Sequence, residues 1–302
     1  MSSIAYVTDQ EMIEYHRLCG NRDVNFWRLS TRASFSAFQR GDLLFFYAYG
    51  RTSKKKKGLV GYAHFEHSRK MSLKAMWKRY GTRNGYDDIT RLEEAIREAS
   101  RNGEIPETMN CLYLSDCVYF RSPVYPEEAG IRINEKLESF TYLDKDDPTA
   151  TARILRIAEA HGIDDWSSSQ NFEPDSVFRS DEIRQQLALI ASAAGICDRT
   201  ASETRRAKRL IIPYAEENGY ELIRGSETDY FRMEEEGVRI VFPFVTQAND
   251  RTRQVRDLLG RMMIYRLKAK ELSFRGEPLV FEVIGEEEEE QLSFLRRAAE
   301  YV

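Results

Sequence analysis

Three aromatic, β-favouring runs crowd into the first third of this chain: "VNFWRLS" from Val24, "DLLFFYAYG" from Asp42 and "GLVGYAHFEH" from Gly58. The last alternates Leu59, Gly61, Ala63 and Phe65 against its other face, which is the period of a strand. Between the second and third lies "RTSKKKKG", a hairpin-like connection with charge at its tip. "SLKAMWKRYG" then reads as a helix from an N-cap at Ser72 to Gly81. "DDITRLEEAIREAS" is amphipathic, with Ile89, Leu92 and Ile96 on one face and Asp88 or Thr90 near its start. "NCLYLSDCVYF" returns to strand. Strands, helices and a further strand, with curved aromatic-rich hairpins, suit a small β-barrel of α+β type.

The second half has a different grammar. "DKDDPTATA", from Asp144, has turn chemistry, and "ATARILRIAEAHGI" after it is helical. "DDWSSSQNFEPDS" reads as a polar loop, and "SDEIRQQLALIASAAG" as a helix capped by Ser180 and closed by Gly195. Another helical stretch from Ala201 turns at Asn218-Gly219. The rest follows a βββαβα order: "YELIR", a hairpin in "DYFRMEEEGVRIVFPFV" turning near Glu236-Gly237, a long helix in "DRTRQVRDLLGRMMIYRLKAKEL", "PLVFEVI", and a closing helix that the acids Glu286 to Glu290 start favourably. This divides the chain into a domain over 1–147, a helical linker over 148–205 and a mixed α/β domain over 206–302.

No run of about 18 apolar residues occurs, so no transmembrane helix is expected. The N-terminus "MSSIAYVTDQEMIEYH" has neither basic leader nor apolar core, unlike a signal peptide. Cys19, Cys111, Cys117 and Cys197 lack metal-ligand spacing and read as reduced thiols, mostly buried, in a cytoplasmic protein. The net charge of -4 conceals an asymmetry. From Arg28 to Arg83 there are 14 Lys or Arg against two acids, Asp42 and Glu66, a balance of +12 that leaves -16 for the remainder. Such a block suggests a surface for a polyanion; the plainer reading is a lysine loop that only stays wet.

The runs from Asn25 to Gly50, from Gly58 to His67, from Ser72 to Ile96 and from Met109 to Phe120 resemble the N-terminal domain of certain HNH restriction endonucleases. That family shares a Phe-Trp pair, a Gly-acid step into an aromatic strand, and a Trp-x-x-aromatic-Gly-x-x-Asn-Gly element, here Trp77 to Gly85. The domain is also similar to the PUA-like group that contains EVE and YTH domains, readers of modified bases in DNA or RNA. The resemblance implies a cupped barrel with an aromatic pocket, since an extruded base needs ring faces and a few polar groups for its edge. Trp27, Tyr47, Tyr49, Trp77 and Tyr80 would supply ring faces, and Ser30, Asp42 and Asn84 edge contacts. Arg28, Arg32, Lys54, Lys55, Lys56, Lys57, Lys78, Arg79 and Arg83 would hold phosphates. Against this, Trp27 and Trp77 also fit core packing. Trp77 would then sit under the barrel while Arg79, Arg83 and Asn84 face out.

"RTRQVRDLLGRMMIYRLKAKE" resembles the helix after the catalytic strand of the PD-(D/E)XK nuclease superfamily, at Gln254, Leu259, Gly260 and Tyr265, with Arg261 where Gln is usual. That resemblance implies a restriction-endonuclease-like domain using Mg²⁺. Asp229 falls where a catalytic Asp would, but Phe242, Pro243 and Phe244 stand where Glu-x-Lys is expected. Glu221 or Glu234 to Glu236 would have to supply the other carboxylates. His64 and His67 do not form a metal pair, because their odd spacing on a strand sends them to opposite faces. The leading expectation is a nucleic-acid-binding protein of restriction or defence type, acting on DNA, with a degenerate nuclease-like domain and a homodimer or partner nuclease subunit. The alternatives are a non-enzymatic reader of modified DNA, RNA or nucleotide that recruits a partner, and an interaction protein whose barrel packs on its acidic half.

Overall fold

The computed structural model describes residues 3–29, 38–50, 53–134, 136–165, 174–195, 197, 199–245, 251–285 and 290–302. They form two compact units, Ser2–Phe178 and Arg179–Val302, each mixing helices with a sheet. Among them no helix is long and apolar enough to cross a membrane.

The first unit runs β1 (Ser3–Val7), α1 (Gln10–Leu18), β2 (Val24–Arg28), β3 (Leu43–Gly50), β4 (Ser53–Met71), α2 (Leu73–Tyr80), a 3₁₀ turn (Gly81–Asn84), α3 (Ile89–Ala99), β5 (Met109–Val124), β6 (Phe140–Tyr142) and α4 (Ala150–His161). Its strands make one sheet in the order β2-β5-β4-β3-β1-β6. Only β1 and β3 pair in parallel; the other neighbours are antiparallel. In a flat sheet β2 and β1, four places apart, would lie roughly 19 Å from each other. Instead the rings of Tyr6 and Phe26 meet edge-on at 4.8 Å. The Arg28 guanidinium lies 5.6 Å from the centre of the Tyr6 ring. The sheet is therefore strongly curled, as the sequence led us to expect of a small barrel.

Curling explains why "DLLFFYAYG" is an unbroken apolar run rather than an alternating one. Leu44 and Phe46 point inward, with Ile4, Phe26 and Leu112. Leu43, Phe45 and Tyr47 point outward, where Ile154, Leu155 and Ala158 of α4 cover them. A strand buried on both faces has no place for polar alternation. Asp144 fastens this cover: its carboxylate accepts from Ser3 Oγ at 2.7 Å and from the Thr151 amide at 2.9 Å.

One expectation needs correction. The lysine run is not a loop: residues 53–57 are already strand, with Gly50 paired to Ser53 and Tyr49 to Lys57 across a bulge. Residues 51–52 lie outside the described set, as do the side chains of Lys54 and Lys55.

The second unit comprises most of α5 (Pro174–Ala194), then α6 (Ala201–Asn218), β7 (Glu221–Leu222), β8 (Tyr230–Glu234), β9 (Gly237–Phe244), α7 (Arg251–Glu271), β10 (Leu279–Gly285) and α8 (Glu290–Tyr301). The βββαβα order read from the sequence is present, in a sheet ordered β10-β9-β8-β7. Strand β9 lies between two helical layers. Ile240, Phe242 and Phe244 face α7 and α8 residues such as Met262 and Leu295, and Val241 faces Ile211 and Ala215 of α6. Ser180 is not a helix cap, because α5 begins at Pro174. Val177 and Phe178 extend its apolar pattern backward into the first unit's core, where the Phe178 ring lies 6.1 Å from that of Tyr62. Glu286 to Glu289 lie outside the described residues; α8 starts at Glu290.

At Gly61 the β5 backbone lies against β4. A Cβ there would sit 2.4 Å from the Val118 carbonyl oxygen, and backbone cannot swing aside as a side chain does. We expect Gly61→Ala to destabilise the first unit by about 1–3 kcal/mol, read as a lowered urea midpoint; an unchanged midpoint would show that the two strands can separate freely there.

Candidate functional site

Helix α2 sorts its residues by spacing. Leu73, Met76 and Tyr80 are buried and Trp77 half-buried, on the face that packs with Leu92 and Ile96 of α3 and Met109 of β5. Lys74, Lys78 and Arg79 occupy the exposed face. Ser72 caps the helix, its Oγ accepting from the Ala75 amide at 3.4 Å. Asp88 caps α3 through bonds from the Thr90 and Arg91 amides at 2.7 and 2.9 Å. Trp77 thus behaves largely as core, the alternative role given above for it.

From His67 to Tyr86 the sequence holds six cations, Arg69, Lys70, Lys74, Lys78, Arg79 and Arg83, and no acid. All six are exposed, and none has an ion-pair partner among the described residues. Surface cations elsewhere in this unit do find partners: Arg40 binds Glu66 at 2.7 Å, and Lys56 binds Glu127 at 2.9 Å. The strip borders a column of rings. His67 stacks on Tyr113 at 5.3 Å, Tyr113 on Tyr80 at 5.7 Å, and Arg79 lies 5.5 Å from the centre of the Tyr80 ring. Burial, reinforced by the charges of Arg69 and Arg79, holds the His67 pKa below the usual histidine range.

The turn after α2 is tied down from both sides. Asn84 is fully buried: its Oδ1 accepts from Asn25 Nδ2 at 2.7 Å, its Nδ2 donates to the Gly81 carbonyl at 2.6 Å, and its own carbonyl accepts from Trp27 Nε1 at 3.2 Å. Gly85 has φ of 93°, and a Cβ on it would strike Met12 Cγ at 2.3 Å, so this turn packs directly on α1. The expectation that Asn84 faces out is therefore corrected. The amide serves to hold the 3₁₀ turn to β2, and Arg83 beside it is the exposed member.

The remaining expected contacts are dispersed. Arg28 is buried against Tyr6, Asp42 is buried and accepts from the Gln39 amide at 2.7 Å, and Tyr47 belongs to the core under α4. Tyr49 is exposed, with Lys57 Nζ 5.5 Å from its ring centre. Lys57 and Arg69 lie at opposite ends of β4, roughly 40 Å apart along the strand. The basic block of the sequence is consequently two surfaces. Ser30 and Arg32 lie outside the described residues.

In the second unit Asp229 ends the turn before β8 and is buried. Its Oδ2 accepts from Arg261 Nε at 2.6 Å and from the Tyr265 hydroxyl at 2.8 Å, both from α7. Burial alone would lower the Arg261 pKa, but the Asp229 charge outweighs it and raises it. Glu221 instead faces Arg184, bonded at 2.9 and 3.0 Å, and Gln254 is hydrogen-bonded to the buried Glu203. Asp229 and Glu221 thus serve different partners. Among the described residues no three His, Cys, Asp or Glu side chains gather as a metal site would require. These residues do not fit Mg²⁺, because a guanidinium already takes the Asp229 carboxylate and apolar Phe242 and Phe244 take the neighbouring strand.

No protein-family model and no curated protein matches the chain. Among solved structures it is similar to the crystal structure of ASCH from Zymomonas mobilis: 16% identity over 51% of this chain and 94% of that one, with a TM-score of 0.38. Two single-residue variants of that protein match alike, at 15% and 14% identity and a TM-score of 0.37, over 95% and 99% of their length. Likeness at this level carries no conclusion about ligand or activity.

The Asp229–Arg261 pair has a testable signature. Removing one member of a buried pair strands the other, so Asp229→Asn or Arg261→Met should each cost about 3–5 kcal/mol, whereas Asp229→Leu combined with Arg261→Met should recover much of that loss. Denaturant midpoints of the three variants decide it; additive losses would mean the two side chains act independently.

Proposed function

We propose that this chain is a nucleic-acid-binding protein, with a PUA-like first unit that holds DNA and a second unit that is not a metal-dependent nuclease. The observation that carries the first part is the acid-free strip from Arg69 to Arg83: six exposed cations, none neutralised by a described neighbour. Opposite charge from outside is what such a surface lacks, and a phosphate backbone supplies it at regular spacing. The curled, aromatic-rich sheet supports the PUA-like reading, and half-buried Trp27 is the ring proposed to meet an unstacked or modified base. RNA is the other polymer with the required charge, so both are compared in the test.

The second part rests on Asp229. Its carboxylate cannot take a metal without leaving Arg261 buried and unpaired, which favours a reader that delivers a partner subunit over a restriction enzyme acting alone. Incubating plasmid, modified and unmodified, with the protein and Mg²⁺ or Mn²⁺ should give no cleavage; reproducible cleavage lost in Asp229→Asn would restore the nuclease reading.

For the interface, log affinity should fall linearly with log salt, with a slope of about -0.9 per phosphate contact on duplex DNA and about -0.7 on single strands. Replacing Arg79 and Arg83 together by Gln should make the slope shallower by roughly 1.4–1.8. Binding that ignores salt would remove the proposal. A second readout needs no variant: phosphates on the strip should raise the His67 pKa, followed by NMR of its imidazole, because added negative charge favours the protonated ring. The same His67 titration with and without oligonucleotide would place the ligand elsewhere.

A further inference from the structure

Exposed large apolar side chains such as Leu18, Ile212 and Leu222 sit on separate elements, but four others gather on two neighbouring helices of the second unit. Met263 and Leu267, one turn apart on α7, are 45% and 55% exposed, and Phe294 and Tyr301, two turns apart on α8, are 45% and 88% exposed. Both helices pack into one core, α8 through Leu292, Leu295 and Ala299. Arg266 Nε of α7 donates to the Val302 carbonyl, beside Tyr301, at 2.7 Å. On its other flank α8 is tied to the sheet's edge strand, Arg296 Nε donating to the Val283 carbonyl of β10. Phe294 is more than half a turn from Arg296 and so turns away from β10, toward the α7 side. At about 200 Å² for a large side chain, the exposed fractions leave roughly 450 Å² of apolar surface there. A patch of that size on a single chain is often functional. Gly260, exposed one turn before Met263, has open space where a side chain would stand, although glycine is unfavourable inside a helix. No described neighbour requires it, whereas a second backbone approaching α7 would.

The charges beside the patch point to its occupant. Glu290 and Arg297 bracket Phe294 on α8, both exposed and neither with an ion-pair partner among the described residues. Seven residues apart, they are separated by about 10 Å along the axis, too far to pair within one helix. We propose that the chain self-associates through this face, as a two-fold dimer in which α8 lies antiparallel to its copy. Such an axis near Phe294 sets each Glu290 against the Arg297 of the other copy, because in a two-fold interface residue i meets j and j meets i. Phe294 lies at the axis, with Met263, Leu267 and Tyr301 around it. Arg256 and Lys270, also exposed and without a described partner, stand at the two ends of the α7 face, at the wet rim. No residue of the cationic strip takes part.

The test is sedimentation velocity of the full chain, without nucleic acid, across the micromolar range; the mass should double with concentration. Phe294→Ser should weaken association about tenfold. Glu290→Arg and Arg297→Glu should each weaken it about tenfold, because each reversal sets like charges together at both symmetric pairs. The two reversals combined should return association to its original strength, a recovery that damage to the fold cannot imitate. Arg79→Gln with Arg83→Gln should leave association unchanged, which keeps this outcome separate from that of the strip. A chain that stays monomeric throughout overturns the proposal and leaves the face to a different protein. Association indifferent to Phe294→Ser, a double reversal no stronger than either single one, or association lost in the strip variant overturns it as well.

Discussion

The contact between Tyr6 and Phe26 rings governs the first unit. Two strands that the sheet order separates by three others can meet only if the sheet rolls up. Once rolled, it needs residues small enough to let strands cross closely and large enough to fill the inside. Gly61 meets the first need, and Phe46, Leu112 and Tyr119 the second. The outer face is then left apolar and must be covered, which is what α4 does. The same roll places β2 beside the turn after α2. Asn25 and Trp27 on β2 bond to Asn84, and Gly85 rests on α1. Lys74, Lys78 and Arg79 of the strip are therefore mounted on a fixed base, because the helix carrying them is held by its other face.

The second unit solves a different problem at Asp229. A carboxylate at the foot of a strand and under a helix must be neutralised, and the fold does so internally, with Arg261 and Tyr265 one helical turn apart. This arrangement favours persistence over turnover, since a guanidinium cannot be exchanged as a metal ion can. Nearby, Arg199 braces Thr228 to the end of β9 through bonds to the Thr228 hydroxyl and the Pro243 carbonyl.

Much of this architecture can be read from the residues. The order of elements, the caps at Ser72 and Asp88, the hairpin near Glu236-Gly237 and the long helix over Arg251–Glu271 all follow from local periodicity and turn chemistry. The start of α5 does not, because the residues that lengthen it, Val177 and Phe178, are anchored by a core assembled from distant strands. The cationic strip is legible as an acid-free run from His67 to Tyr86. The His67–Tyr113–Tyr80 stack beside it is not, since Tyr113 arrives from a strand more than thirty residues later.

Sequence alone determined the α+β character, the positions of most elements and the concentration of positive charge, because these depend on neighbours a few residues apart. Tertiary structure decided which of those charges act together. It sent Lys57 and Arg69 to opposite ends of one long strand, turned Asn84 and Arg28 inward, and gave Asp229 to Arg261. Each of those outcomes follows from curvature, strand length or long-range pairing, and these are fixed only when residues far apart in the chain compete for the same interior space.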